Sequence, residues 1–563
     1  NSMSHMWLDL LVFVAPFALL FGGILGLRKS VLWSATFATI SLLILVTTIW
    51  GMSWIAIATA MLKAGFVTLD IFLILLGALF LLALLRKVGA IGTIKQLLVE
   101  ISPDRRIQGM LIGLFFVGFI EGLAGFGTPA MLAAPLLVAI GFPVRAAILL
   151  SLIGDTVSVP FGAVGTPFVI GLEQGLATVA TTTDAVSVSG VIPFVIALGF
   201  PLGLLAPLFM SIMLTHTFGG SIKEGLYIWK QALIAGLCFV IPYSVIALTL
   251  GPEFPALIGS LIGGAAFVLL LKLPMLKIVK PWDFGSKVNA TATTTYKRQG
   301  HPPLSNILKS LTPYAIVVGF LIASRLPSLP FQSWMQSTLA YSVPDFESAR
   351  AATISVNHTF RPLYSPGLFL FLGAISAMVL FKTKLKTVRS IASGTIQTTI
   401  KPALTLLVLI SLAQILLYSG FNTQDKPSLP VFAAEMVSTI PVSWTALAPF
   451  IGLFGALSTG SVTISNVLFS DFQARTAVLS NYNLNLVLAL QVLGAAAGNM
   501  IALHNIIAVL AAVGAKSNKS KTKNRSNRDT LVLLIKPALL YAAGVALLGT
   551  SYVFLQSLGL RLL

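Results

Sequence analysis

Apolar stretches of about 20 residues recur from Trp7–Leu27 through to Leu531–Leu555, each parted from the next by a short polar or basic connection. At about 1.5 Å per residue, a helix of that length crosses a hydrocarbon core of roughly 30 Å. The pattern predicts an all-α polytopic membrane protein with about eleven to fourteen crossings, the spread reflecting how interrupted segments are scored. The interruptions are the informative part. GFIEGLAGFGTP (Gly118 to Pro129) sets a carboxylate, Glu121, inside an apolar run and then breaks the helix with Gly125, Gly127 and Pro129. A charge at membrane depth is costly, and irregular backbone there survives only when buried in protein or lining a cavity, so the pair predicts a polar site and transport.

The same composition returns along the chain. SLIGDTVSVPFGAVGTP (Ser151 to Pro167) follows the first break, and the second half has Gly452, Gly455, Ser458 to Ser461, Thr463, Ser465 and Asn466, then QVLGAAAGNMIALHN (Gln491 to Asn505). Each half thus carries two interruptions rich in Gly, Ser, Thr and Asn at corresponding places, the signature of inverted repeats in secondary transporters. Small residues also serve plain helix packing, which is the competing explanation.

Composition excludes a water-soluble domain: 56% of the residues are hydrophobic, 9% are charged and mean hydropathy is +0.95. The net charge of +19 would suggest nucleic acid in a soluble protein, but here the basic residues sit in connections and report orientation. Placing the clusters at Arg28-Lys29, Arg86 to Arg106, Lys223-Lys230, Lys272 to Lys309, Lys382 to Lys401 and Lys516 to Arg528 in the cytoplasm leaves both termini external. Alternation then requires Ile107 to Gly171 to cross outward and Trp444 to Gly514 to cross inward. The expected organisation is a vector-derived remnant at 1–6, a first inverted half at 7–271 with a transport block at 107–171, a flexible basic cytoplasmic linker at 272–310, and a second half at 311–563 with a transport block at 444–514. The external stretch Arg325 to Pro366 is expected to include a short surface helix.

A broken helix frees N–H groups at the start of its second piece, where the positive end of the dipole favours an anion. Gly125, Phe126, Gly127 and Thr128 are expected to form one such tip and Gly460, Ser461 and Thr463 a facing one, with Asn466 and His504 completing a substrate site for a small carboxylate. A hydroxyl at any of these places can instead bond back to its own helix. Glu121 and Asp155 are the candidates for proton coupling, since desolvation favours a neutral acid that exchanges protons near physiological pH. Sodium held by Asp155, Thr156 and freed carbonyls is the alternative. Glu121 could also pair with Arg145. Lys63 and Asp70 are expected to form an interfacial ion pair, Asp471 and Arg475 an i,i+4 pair, and Arg145 and Arg475 to occupy similar places after their motifs. Cys238 is the only cysteine, so neither a disulfide nor a cysteine metal cluster is expected. No phosphate-binding loop, HExxH pattern or convincing Gly-x-Ser-x-Gly setting is present, so no ATP, cofactor, metal or enzymatic activity is expected. A channel or membrane sensor is the more distant alternative.

EGLAGFGTPAMLAAPLLVAIGF (Glu121 to Phe142) followed by DTVSVPFGAVGTP (Asp155 to Pro167) closely resembles the lactate permease family, and TGSVTISNVLF (Thr459 to Phe469) and GNMIALHNIIAV (Gly498 to Val509) occupy the expected later positions. The resemblance implies a proton-coupled importer of lactate or a related 2-hydroxy monocarboxylate such as glycolate in the cell (inner) membrane. It also implies kinship with an ion-transporter superfamily built from two inverted repeats with re-entrant hairpins and broken helices, an elevator-type motion and a homodimer through static domains. The chain departs from the family pattern at Val462, where an acid is expected, and at Asn499 and Ala502-Leu503-His504, where Lys and Ser-Pro-Gln are expected.

Overall fold

The computed structural model describes residues 2–125, 127–177, 187–284, 302–342, 346–347, 353–354, 359–440, 443–513 and 520–558, apart from 326–329. Among the described residues, ten helices are long and apolar enough to cross a membrane, and seven shorter apolar helices accompany them. The all-helical expectation holds but for two strand pairs of two residues each, Tyr341–Ser342 with Thr359–Phe360 and Phe346–Glu347 with Thr353–Ile354. Between Arg325 and Pro366, where a short surface helix is expected, the structure has the helix Phe331–Ser337, which buries none of its residues.

Local sequence explains where the long helices begin and stop. Trp54–Lys87 starts where the Ser53 hydroxyl accepts from the Ala56 N–H at 3.2 Å, and ends with Arg86 and Lys87 against its negative pole before Gly89 turns left-handed at φ 84°. This helix packs on Leu385–Tyr418 and Pro366–Leu380, and Gly77 and Gly367 allow close backbone approach to the latter.

Two units interrupt this regularity in the same order. In the first, Arg105–Ala124 ends at Gly125 (φ 50°) and Gly127 (φ 76°), and Thr128–Ala139 follows. A turn then leads to Val144–Ser158, a second break and Pro167–Leu172. In that second break Ala163, Val164 and Gly165 are all left-handed, at φ 45°, 54° and 73°. A β-branched residue rarely tolerates this conformation, and such strain concentrates at functional sites. In the second unit Trp444–Thr459 ends at Gly460 (φ 62°), Ser461 caps Val462–Leu479, and a turn leads to Leu484–Ile501, Ala502 and Leu503–Ala512.

The two turns are alike bond for bond. Gly141 N–H donates to Val138 and Phe142 N–H to Leu137, both at 3.0 Å; Asn481 donates to Val478 at 3.2 Å and Tyr482 to Ala477 at 2.8 Å. Each is a left-handed helix stop, filled by the two residue types that accept positive φ most readily. Within each unit the flanking helices run parallel, with the middle one returning between them. Gly109 lies against Leu150 and Gly154 against the Gly113 carbonyl, as Gly494 does against Pro449 and Gly498 against Leu453. Val188–Thr217 runs antiparallel to Arg105–Ala124, with Leu214 at Gly109 and Met210 at Gly113, and parallel to Leu484–Ile501, with Gly190 at Asn485 and Gly199 at Leu493. Leu484–Ile501 is therefore opposed in direction to Val144–Ser158.

Burial separates these units from the rest. The crossing windows of Arg105–Ala124 and Val144–Gly175 are 100% buried, against 33% for Val31–Thr48, so the broken helices are encased by the others. The start of the expected flexible linker is ordered instead: Trp282 and Phe284 are buried, Phe284 meets the Phe142 ring edge-on, and Asp283 pairs with Arg105 at 2.9 Å. Aromatic burial outweighs the polar composition there. The low-complexity part at Asn289 to Thr295 lies outside the described residues.

Candidate functional site

The four interruptions meet. A methyl group at Gly125 would lie 2.7 Å from Ala163 Cβ, and one at Gly127 would lie 2.7 Å from Asn505 Oδ1. One at Gly162 would collide with the Glu121 carboxyl, and one at Gly460 with the His504 ring. At Gly127, Gly162 and Gly460 the opposing polar side chain takes the space a Cβ would need, and at Gly125 the Ala163 methyl does. The broken backbone of both units thus converges on one buried polar centre.

At this centre Glu121 and Asp155 are in carboxyl-to-carboxyl contact, 1% and 0% exposed. Asp155 Oδ2 accepts from Asn499 Nδ2 at 2.9 Å, and Asn505 Nδ2 donates to Asn499 Oδ1 at 3.0 Å and to its carbonyl at 3.2 Å. A line of polar groups therefore runs Glu121, Asp155, Asn499, Asn505 across the two units. Among the described residues, Glu121 Oε2 and Asp155 Oδ1 are buried without a hydrogen-bond donor.

The hydroxyls divide by what they already hold. Thr128 Oγ1 donates to the Gly125 carbonyl at 2.8 Å, which fixes the first tip and commits its proton. Ser461 Oγ accepts from Ile464 N–H at 3.3 Å, which leaves its O–H able to donate. Thr463 Oγ1 meets Thr166 Oγ1 at 3.0 Å, and Asn466 Nδ2 donates to the Pro167 carbonyl at 3.0 Å while its Oδ1 is buried without a partner. Phe126 lies outside the described residues.

Three ionic expectations change and one stands. Lys63 is not interfacial: it is 1% exposed, with Nζ 3.4 Å from the Tyr418 hydroxyl and 5.3 Å from its ring centroid. Arg145 pairs with Asp529 at 2.8 Å on a half-exposed surface, away from Glu121. Arg145 and Arg475 are not equivalent, because Arg145 follows the turn of its unit and Arg475 precedes the turn of the other. Asp471 and Arg475 form the expected i,i+4 pair at 2.8 Å. Asn499, Asn505 and Thr166 were not singled out from sequence as site residues; the only signal was amides and a hydroxyl flanking glycines in otherwise apolar runs.

The family model for L-lactate permease matches residues 9–554. The chain belongs to the L-lactate permease family. It is 29% identical to the putative L-lactate permease of Haemophilus influenzae, covering 82% of this chain and 83% of that one. It is 26% identical to the L-lactate permease of Bacillus subtilis, at 82% coverage of each. With the glycolate permease GlcA of Escherichia coli the identity is 27%, over 85% of this chain and 84% of that one. The YdaH transporter structure from Alcanivorax borkumensis aligns over 87% of this chain and 86% of that one with a TM-score of 0.38 and 12% identity, too weak a likeness to specify a fold. A permease is a multi-pass membrane transporter and not an enzyme. The family is named for lactate and one of these relatives for glycolate, both small carboxylates.

Proposed function

We propose that the protein imports lactate or a related 2-hydroxy monocarboxylate such as glycolate across the cell membrane by proton symport. The observation that carries this reading is the contact between Glu121 and Asp155 where four helix breaks meet, with Asn499 reaching Asp155 from the opposite unit. Two carboxyls side by side away from water repel when both are charged, which makes the pair the carrier of the coupled proton in this reading. Arrival of the anion beside the pair favours uptake of a further proton, and departure favours its release. The first N–H groups after Gly460, with the Ser461 hydroxyl, supply the donors for the substrate carboxylate, whereas after Gly127 the Thr128 N–H is held by the Gly125 carbonyl at 3.0 Å and Pro129 has none.

The repeated order of breaks, the two matching turns and the opposed direction of Leu484–Ile501 and Val144–Ser158 support two inverted repeats whose broken units form a transport block. An elevator-type movement of that block against the Trp54–Lys87 and Leu385–Tyr418 helices, with a homodimer through the latter group, is the mechanism this arrangement favours. The unpartnered Glu121 Oε2 and Asp155 Oδ1 also suit a hard cation, which keeps sodium coupling as the second reading.

Purified protein in proteoliposomes separates them. Lactate accumulation is expected under an inward proton gradient alone and not under a sodium gradient alone; the reverse result would replace proton by sodium. Competition by glycolate, pyruvate and longer hydroxy acids then ranks the substrates.

A further inference from the structure

A cavity of about 290 Å³ lies between the first broken unit and the surrounding helices, close to the roughly 300 Å³ lower end of ligand pockets. One wall is the unit itself, with Val164 of the strained left-handed break, Thr166, Val169 and Glu173; the other carries Asp70, Arg325, Arg361 and Tyr364. Thr166 bonds Thr463, so this wall abuts the candidate substrate site.

The two arginines differ in availability. Arg325 is engaged: its Nε donates to Glu253 at 2.9 Å, its Nη1 to the Tyr364 carbonyl at 3.3 Å, and its guanidinium stacks 3.7 Å from the Tyr364 ring centroid. Arg361 is exposed, and its guanidinium has neither an ion pair nor a hydrogen bond among the described residues. An open guanidinium on a cavity wall attracts a carboxylate and can bind it in fork geometry.

Charge gives the cavity a side. Leu304–Arg325 begins near Lys309, which sits over Phe381 at the end of Pro366–Leu380, so the basic loops around 309 and 382 share one face. Arg325 and Pro366 are at the opposite ends of these two helices, and both line the cavity. By the positive-inside rule the cavity opens outward.

We propose that this cavity is the external vestibule through which the carboxylate reaches the helix breaks, and that Arg361 is the residue that captures it there. This deepens the function proposed above and rests on it.

Two measurements test it. Val169→Cys in a Cys238→Ser background, in oriented vesicles, is expected to react with a membrane-impermeant methanethiosulfonate added outside; reaction only from the inside would overturn the vestibule. This readout needs no transport. For uptake, Arg361→Gln is expected to raise the half-saturating external lactate concentration about 10-fold with little change in maximal rate, and Arg361→Lys to recover part of it. An unchanged half-saturating concentration in a folded Arg361→Gln protein would remove Arg361 from the pathway while leaving proton-driven uptake by the parent protein intact. Absence of any carboxylate uptake by the parent protein would instead defeat the functional reading on which the proposal rests.

Discussion

The two broken units share a backbone plan and differ in chemistry. Both have a helix, a break, a returning helix, a turn closed by the same two hydrogen bonds, a third helix and a second break. The first unit brings acids to the centre, Glu121 and Asp155; the second brings neutral groups, Ser461, Thr463, Asn466, Asn499, His504 and Asn505. Duplication of a backbone therefore does not entail duplication of function. In the proposed mechanism the first unit holds the proton and the second orients hydrogen bonds without adding charge to the site. Val462 fits that division: it is 1% exposed at the first position of its helix and brings no charge there.

Glu121→Gln strikes hardest at this division, since it removes a proton-exchanging group from the acidic unit while preserving its shape. Uphill lactate accumulation under a pH gradient should fall to simple equilibration, with the protein still folded in detergent. Normal uphill uptake by this variant would remove Glu121 from coupling. The shared backbone plan is tested by a matched pair, Gly154→Ala and Gly494→Ala. Each introduces a methyl against a carbonyl of the parallel helix in its own unit, Gly113 or Pro449, and each should lower stability by about 3 kcal/mol, read as a fall in Tm. A large loss in one unit alone would show that the units pack by different rules.

Asn499→Ala cuts one of the contacts between the units, leaving Asp155 Oδ2 without its donor. A loss of about 2 kcal/mol together with weaker lactate binding is expected; unchanged binding in calorimetry would separate the amide line from the substrate site. The smallest effect belongs to Arg145→Gln. Its partner Asp529 is part-exposed, so stability should move by no more than about 0.5 kcal/mol and the half-saturating lactate concentration should not change. A several-fold rise in that concentration would return Arg145 to the anion pathway.

Much of the plan was legible in the chain. Glycines at 125, 127 and 460 marked breaks because only their backbone fits, and Glu121 marked the polar centre because its cost in lipid demands a use. Asp471 and Arg475 were legible because helical spacing alone brings them together. The ion pairs of Arg105 with Asp283 and Arg145 with Asp529 were not, since each joins residues far apart in sequence. Lys63 was misplaced for a related reason: local spacing offered Asp70 as a partner, while the fold buried the ammonium against Tyr418 from a distant helix.

Hydropathy, glycine placement and the rarity of acids in apolar runs determined by themselves that this is a membrane transporter with two interrupted regions, because those are costs that lipid imposes on each segment separately. Which interruptions touch, that Asn499 reaches Asp155, and that the cavity beside Thr166 displays Arg361 were decided only by the tertiary structure. Those contacts depend on the relative placement of helices hundreds of residues apart, and no local pattern encodes the direction in which one buried helix meets another.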